Sequence, residues 1–195
     1  AKENLTDGGV SPDKIDVVLN GVDKIPETSE EQKAELKKKL GIKPDEFVIG
    51  ILARLEKVKG HEYFIDTAKL ILSEKKIKAK FLILGTGSEE ENLKKKVKEL
   101  GLEKNIIFTG FINNVNDYVN IFDVQVNCSY GTEATSLALL EGMSIGVPAV
   151  VTDYGGNPGV MKNGENGYTS VSGPQPISLS LILASRNISK DFLHI

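Results

Sequence analysis

The chain holds a single cysteine, Cys128, among 195 residues, so an internal disulfide is excluded and the composition fits a reducing compartment. Its setting, "DVQVNCSY", predicts a thiol buried on a strand. No stretch is long and apolar enough to span a membrane, and the start carries no secretory signal pattern. The first residue is alanine rather than methionine, as expected of a processed or shortened chain. Strong charge of one sign is also missing, because the net charge is −3. Lysines gather in "AELKKKLGIK" and "SEKKIKAK", but glutamates lie among or near them, which predicts solvated helix faces. Neither patch has interleaved aromatics, so no nucleic-acid partner is expected.

What is present is ordinary for a globular protein: 40% hydrophobic and 26% charged residues, in a chain long enough for one domain with a sizeable core. Short β-branched runs alternate with amphipathic ones. "KIDVVLN", closed by the turn signal Asn20-Gly21, is expected to be a strand. "TSEEQKAELKKKLGI" predicts a helix capped by Thr28 or Ser29. "EFVIGILA" and "KFLILG" are continuous apolar runs, as in strands covered on both faces. "GHEYFIDTAKLILSE" has helical periodicity, and "SEEENLKKKVKELGL" predicts a charged surface helix. "NIIFTGF", "DVQVNCS" and "PAVVTD" complete the strands, separated by helices in "NNVNDYVNIF" and "SLALLEGMSIG". This alternation predicts an α/β fold with a doubly wound, mostly parallel sheet and helices on both faces.

Ligands of such sheets bind beyond the carboxyl ends of the strands. The loop after "GILA" places Arg54 at a strand end, with Lys57, Lys59 and Gly60 leading into a helix; cations beside a helix N-terminus suit a diphosphate, or are plain surface charge. His61 reads as a helix-start residue rather than a base. "GTGSEEE" lacks the third glycine of a dinucleotide fingerprint and has acids where a pyrophosphate would dock, so Gly85 and Gly87 are expected to be turn residues.

The fifth expected strand opens into "GTEATSLALLEGMSIGVPAVVTDYGGNP". Glu133 precedes the cap, Thr135 or Ser136, and Glu141 falls in the second helical turn. The free N–H groups of that helix end can receive anionic oxygen, and both carboxylates can accept hydrogen bonds from ligand hydroxyls. Gly155 and Gly156 allow close backbone approach. Taken alone, the glutamate pair is equally a capping acid with an incidental helix glutamate.

"NGVD", "ARLEKVKG", "GTGSEEENL", "IIFTGF", "EATSLALLEGMSIGVPAVVTDYGG" and "NGENGY" occur in an order and spacing that resemble the C-terminal domain of family 4 glycosyltransferases, over residues 16–168. Members resemble glycogen synthase, sucrose synthase and the bacterial transferases of capsular, exopolysaccharide and lipopolysaccharide synthesis, and this chain looks most like the bacterial polysaccharide enzymes. The resemblance implies a Rossmann-like domain, the C-terminal half of a GT-B fold, that binds a nucleotide-diphosphate sugar (a UDP- or GDP-sugar). It implies diphosphate contacts from Arg54 and Lys59, a donor-sugar contact from Glu133 and a ribose contact from Glu141. Backbone at Thr135, Ser136 and Leu137 would meet sugar and phosphates, and Phe111 and Ile112 would lie beside the base. Transfer with retention, with no metal ligands and no required cofactor, is also implied; the chain has no D-x-D pair, so arginine and lysine must balance a departing diphosphate.

The chain departs from the family at Ala134-Thr135-Ser136, where Gly-Phe-Gly is frequent, and at Gly159, where the family has glutamate. Expected domains are residues 1–14, the end of a missing N-terminal domain or linker; 15–170, the nucleotide-sugar domain; and 171–195, a tail of uncertain structure. The acceptor, a glycan or lipid-linked chain, belongs to the missing half, so the isolated chain is expected not to turn over. The implied location is cytoplasmic, at the inner membrane face for the whole enzyme. Competing readings are half of a nucleotide-sugar epimerase, a non-catalytic nucleotide- or sugar-binding module and, third, a dehydrogenase.

Overall fold

The computed structural model describes residues 2–18, 20–74, 77–131, 136–171 and 177. Six strands form one sheet in the order β3-β2-β1-β4-β5-β6: β1 Phe47–Leu52, β2 Ala79–Leu84, β3 Ile106–Gly110, β4 Val124–Asn127, β5 Ala149–Thr152 and β6 Gly167–Ser170. Every pairing is parallel. The helices are α1 Lys2–Asp7, α2 Glu30–Lys39, α3 His61–Glu74, α4 Glu90–Glu99, α5 Val115–Val119 and α6 Leu137–Ser144. The doubly wound expectation therefore holds, with the parallel character complete among the described strands.

Strand alternation sorts the core into two layers. Ile49 and Ile51 of β1 with Phe81 and Ile83 of β2 face α3 and α4, which supply Phe64, Ile65, Ala68, Ile71, Leu93 and Val97. Val48, Leu82 and Leu84 face the other way, against Val119, Phe122, Leu36 and Leu40. Gly50 lies on that second face under the ring of Phe122, where an added Cβ would overlap the ring, so the aromatic can lie flat on the sheet only over glycine. The β1–β2 register runs from Phe47↔Ala79 to Leu52↔Leu84, whereas β1 meets β4 only at Ile49↔Val124 and Gly50↔Gln125.

Local chemistry explains the helix ends. Ser29, one of the two expected caps, closes α2 in a capping box: its hydroxyl accepts the Gln32 N–H at 3.3 Å, and the Gln32 side chain accepts the Ser29 N–H at 3.0 Å. Lys37, Lys38 and Lys39 occupy its last turn, complementing the helix dipole.

Several sequence expectations are corrected. "KIDVVLN" is not a strand: Pro12–Lys14 form a 3-10 turn and the described residues after it are irregular, with Val17 and Val18 exposed. β-branched residues make a strand only where a neighbouring edge accepts their backbone bonds, and β3 and β6 close this sheet without them. Leu19 of that run lies outside the described residues. Asn20 and Gly21 form no assigned turn. Conversely β6, "GYTS", was missed because it is short and polar; it is held by pairing with β5 from Ala149↔Gly167 to Thr152↔Ser170. Cys128 lies one residue beyond β4 rather than on it, and is fully buried as expected.

Candidate functional site

The loops leaving the carboxyl ends of β1, β3, β4 and β5 carry the residues singled out above. Arg54 follows β1 by two residues; its side chain is 74% exposed and pairs with Glu56 at 2.8 Å. Beneath it the loop is fixed: Leu55 is fully buried, its N–H donates to the Thr86 carbonyl at 2.9 Å, and its own carbonyl accepts the Glu89 N–H at 2.9 Å. Close backbone approach explains Gly87, and at Gly85 it acts together with a φ of 134° that favours glycine. A Cβ at Gly85 would overlap the Ala53 carbonyl, and one at Gly87 the Leu55 carbonyl. The two glycines let the β2–α4 loop lie backbone to backbone against the arginine loop.

Lys57–Lys59 form a 3-10 turn that ends at Gly60, left-handed with φ 70° and backed against the Cys128 carbonyl. Lys59 thus stands immediately before α3. His61 opens that helix, as expected, but is almost fully buried and neither ring nitrogen has a hydrogen-bond partner. Burial, reinforced by the Lys59 charge, lowers its pKa to about 4, so the imidazole is neutral. After β3, Gly110 turns the chain at φ 69°; Phe111 is 75% exposed and Ile112 half-buried.

After β4, Ser129 donates its N–H to the Asn127 side chain at 3.0 Å, and its carbonyl accepts the Thr152 hydroxyl, tying the β4 and β5 exits together. Tyr130 then donates its N–H to the Val58 carbonyl at 3.0 Å. Glu133 and Thr135 lie outside the described residues. Ser136, the alternative cap, caps α6, its hydroxyl accepting the Leu139 N–H at 3.3 Å. Leu137 follows, half exposed, and Glu141 sits in the second turn, half-buried. Its carboxylate has no ion pair or hydrogen bond among the described residues. After β5, Tyr154 is exposed and Gly155 takes φ 62°; a Cβ at Gly159 would meet open space.

Among the described residues a small cavity at this edge is lined by Leu52, Asn127, Ser136 and Leu139. A cavity of about 660 Å³ lies elsewhere, beside α2 and the turn before β1, lined by Lys33, Lys37, Lys38, Ile42 and Lys43. Among the described residues no group of three His, Cys, Asp or Glu is arranged to hold a metal, and no helix is long and apolar enough to cross a membrane. The sequence reading missed Val58 and Tyr130, which join two of the loops; glycines at 60 and 131 flanking the two segments are the only local signal.

A doubly wound parallel sheet gathers its ligand-binding loops at the carboxyl edge, and here a cationic loop and a helix N-terminus share that edge, an arrangement suited to an anionic ligand. The family model for glycosyl transferases group 1 matches residues 32–185, and the chain belongs to that family, as the C-terminal domain of a GT-B glycosyltransferase. It is 34% identical over 162 residues, 82% of this chain and 42% of the relative, to an Escherichia coli UDP-Gal:alpha-D-GlcNAc-diphosphoundecaprenol alpha-1,3-galactosyltransferase. It is 32% identical over 85% of its length, and 42% of the relative's, to a Bacillus anthracis N-acetyl-alpha-D-glucosaminyl L-malate synthase. The chain thus spans about two fifths of these curated relatives. In fold it matches Anabaena HepE in complex with UDP, with TM-score 0.86 and 22% identity over 98% of this chain and 53% of that one. The crystallised C-terminal domain of a group 1 glycosyl transferase from Francisella tularensis matches with TM-score 0.73 and 28% identity, over 89% and 93% of the two chains.

Proposed function

We propose that the chain is the donor-binding half of a retaining glycosyltransferase that uses a UDP-sugar. The observation that carries this reading is the half-buried Glu141 carboxylate, which has no partner among the described residues. It stands on the helix whose N-terminus shares the carboxyl edge of the sheet with Arg54 and Lys59. A carboxylate that no described neighbour engages can accept hydrogen bonds from a ligand, and ribose hydroxyls are suitable donors. Support for uridine comes from the UDP and UDP-glucose complexes of Anabaena HepE and from the UDP-galactose named for the Escherichia coli relative.

In this reading Arg54 and Lys59 hold the diphosphate, Glu141 the ribose and Glu133 the donor sugar. Backbone at Thr135, Ser136 and Leu137 meets sugar and phosphates, and Phe111 and Ile112 flank the base. During transfer the bond between the anomeric carbon and the diphosphate oxygen breaks and a bond to an acceptor hydroxyl oxygen forms, with the hydroxyl proton passing to the departing diphosphate. Negative charge grows on the diphosphate, and the two cations, with Arg54 exchanging Glu56 for the ligand, stabilise it. The acceptor, a glycan or lipid-linked chain, is bound by a second domain, and the cytoplasmic face of a membrane is the fitting location for the whole enzyme. The isolated chain binds donor without turning it over, because one wall does not orient both reactants.

Titration of UDP, GDP and ADP tests the reading. UDP should bind best, and both Arg54→Ala and Glu141→Ala should weaken it; unchanged affinity in both variants sinks the assignment.

A further inference from the structure

We infer that Gly131 and Tyr130 are positioning residues for Lys59: the segment leaving β4 sets where the ammonium group stands, so that the diphosphate-binding turn and the β4 exit respond as one unit. The inference rests on the reading of Lys59 as a diphosphate contact. Lys59 is adjacent to Val58, and Val58 is held from the β4 side in two ways. The Tyr130 N–H donates to the Val58 carbonyl at 3.0 Å. A Cβ built on Gly131 would lie 2.5 Å from the Val58 Cβ and 2.8 Å from its Cγ1, closer than side chains approach, so only glycine at 131 lets the turn sit where it does. Two further contacts extend the seam. The Gly60 backbone is backed against the Cys128 carbonyl. The rings of Tyr63 and Tyr130 meet at 5.5 Å between centroids, tilted by 59°.

These contacts join the lysine turn and the first turn of α3 that follows it to the segment 128–131, and Gly131 is two residues before Glu133. A displacement of the β4 exit must therefore carry Val58 and Lys59 with it. Coulombic stabilisation of a diphosphate falls with distance and is lost when the cation must reorganise, so a small shift at Val58 is read out at the phosphates. The base contacts are borne by the β3 exit, and Glu141 stands two residues beyond Leu139, whose carbonyl accepts the Gln125 amide of β4 at 2.9 Å, so both are anchored apart from Val58 and should not feel it.

The test is calorimetric titration of the whole chain with UDP and with UMP. Gly131→Ala should weaken UDP about tenfold while changing UMP less than twofold. Lys59→Ala should weaken UDP, and adding Gly131→Ala to it should cause no further loss, because two changes acting through one contact are not additive. Val58→Gly combined with Gly131→Ala should restore UDP affinity, since the obstructing side chain is gone. If Gly131→Ala does not fold, Tyr63→Ala replaces it: UDP affinity should fall with UMP unaffected, and Tyr63→Phe should behave as wild type. An equal loss of UDP and UMP, or full additivity with Lys59→Ala, overturns the inference. A neutral Gly131→Ala beside a damaging Lys59→Ala overturns it while leaving the diphosphate assignment standing; a neutral Lys59→Ala removes both.

Discussion

Asn120 holds Thr28 across a separation of 92 residues: its side-chain oxygen accepts the Thr28 N–H at 3.1 Å while its amide nitrogen donates to the Pro26 carbonyl at 2.9 Å. The same nitrogen also reaches the Asn116 carbonyl at 2.9 Å, so one buried amide fixes the chain that leads into α2 against the end of α5. Asn120→Ala should lower stability by about 2–3 kcal/mol, because the backbone groups it leaves are part-buried. Urea unfolding measures this, and a loss below about 0.5 kcal/mol would show that the clamp carries nothing.

His61 makes stability pH-dependent. Its folded-state pKa lies near 4 against an ordinary 6.5, mainly through burial and then the Lys59 charge. Between those values the unfolded chain binds more protons than the folded one, so this contribution is full above pH 6.5 and is lost as pH falls toward 4. From pH 7.5 to pH 5 the loss is about 2 kcal/mol. His61→Leu should lose correspondingly less over that range and be no less stable at pH 7.5, since the imidazole leaves two nitrogens unpartnered. Parallel pH profiles for the two proteins would contradict this.

Cys128 should be silent toward thiol reagents in the folded protein. It is fully buried, and burial raises its pKa far above the ordinary range, so the reactive thiolate is suppressed. Labelling with an aromatic disulfide should proceed only at the rate of structural opening and accelerate in urea; prompt labelling in buffer would disprove the burial.

In the proposed donor site Glu56, which meets Arg54 at 2.8 Å, would compete with the diphosphate for it. Glu56→Gln should raise UDP affinity by a factor of about 2–3 and change stability by less than about 0.5 kcal/mol, since exposed ion pairs contribute little. Arg54→Ala should weaken UDP at least about tenfold, in keeping with the loss of a charge-assisted contact. Titration decides both, and a Glu56→Gln variant that binds UDP more weakly would mean the acid orients the arginine rather than competing for it.

The sheet was legible because β1 and β2 are buried on both faces, and "FVIGIL" and "KFLIL" can satisfy that only as unbroken apolar runs. The positions of the candidate site residues were legible because loops of such a sheet gather past the carboxyl ends of its strands, and Arg54, Phe111 and Ser136 stand on those loops. Val17 and Val18 misled because apolar β-branched residues report preference, not the presence of a partner edge. β6 escaped because polar, short "GYTS" owes its conformation to β5. The contact of Val58 with Gly131 joins residues far apart in sequence, and no local pattern encodes it.

The brief pairing of β1 with β4 has a consequence for how the domain comes apart. Pairing is extensive within β1–β2, yet at the centre of the sheet the two halves share only Ile49↔Val124 and Gly50↔Gln125, helped by Asp123 bonding Val48 through both backbone and carboxylate. Side chains and loops rather than ladder bonds close that junction: Phe122 lies on Gly50, Val124 and Val126 share one core with Ile49 and Ile51, and the Tyr130 N–H holds the Val58 carbonyl, so the two halves of the sheet open together. Arg54 and Lys59 follow β1 and Glu141 follows β4, so a nucleotide bound by all three would span the junction and slow hydrogen exchange along it.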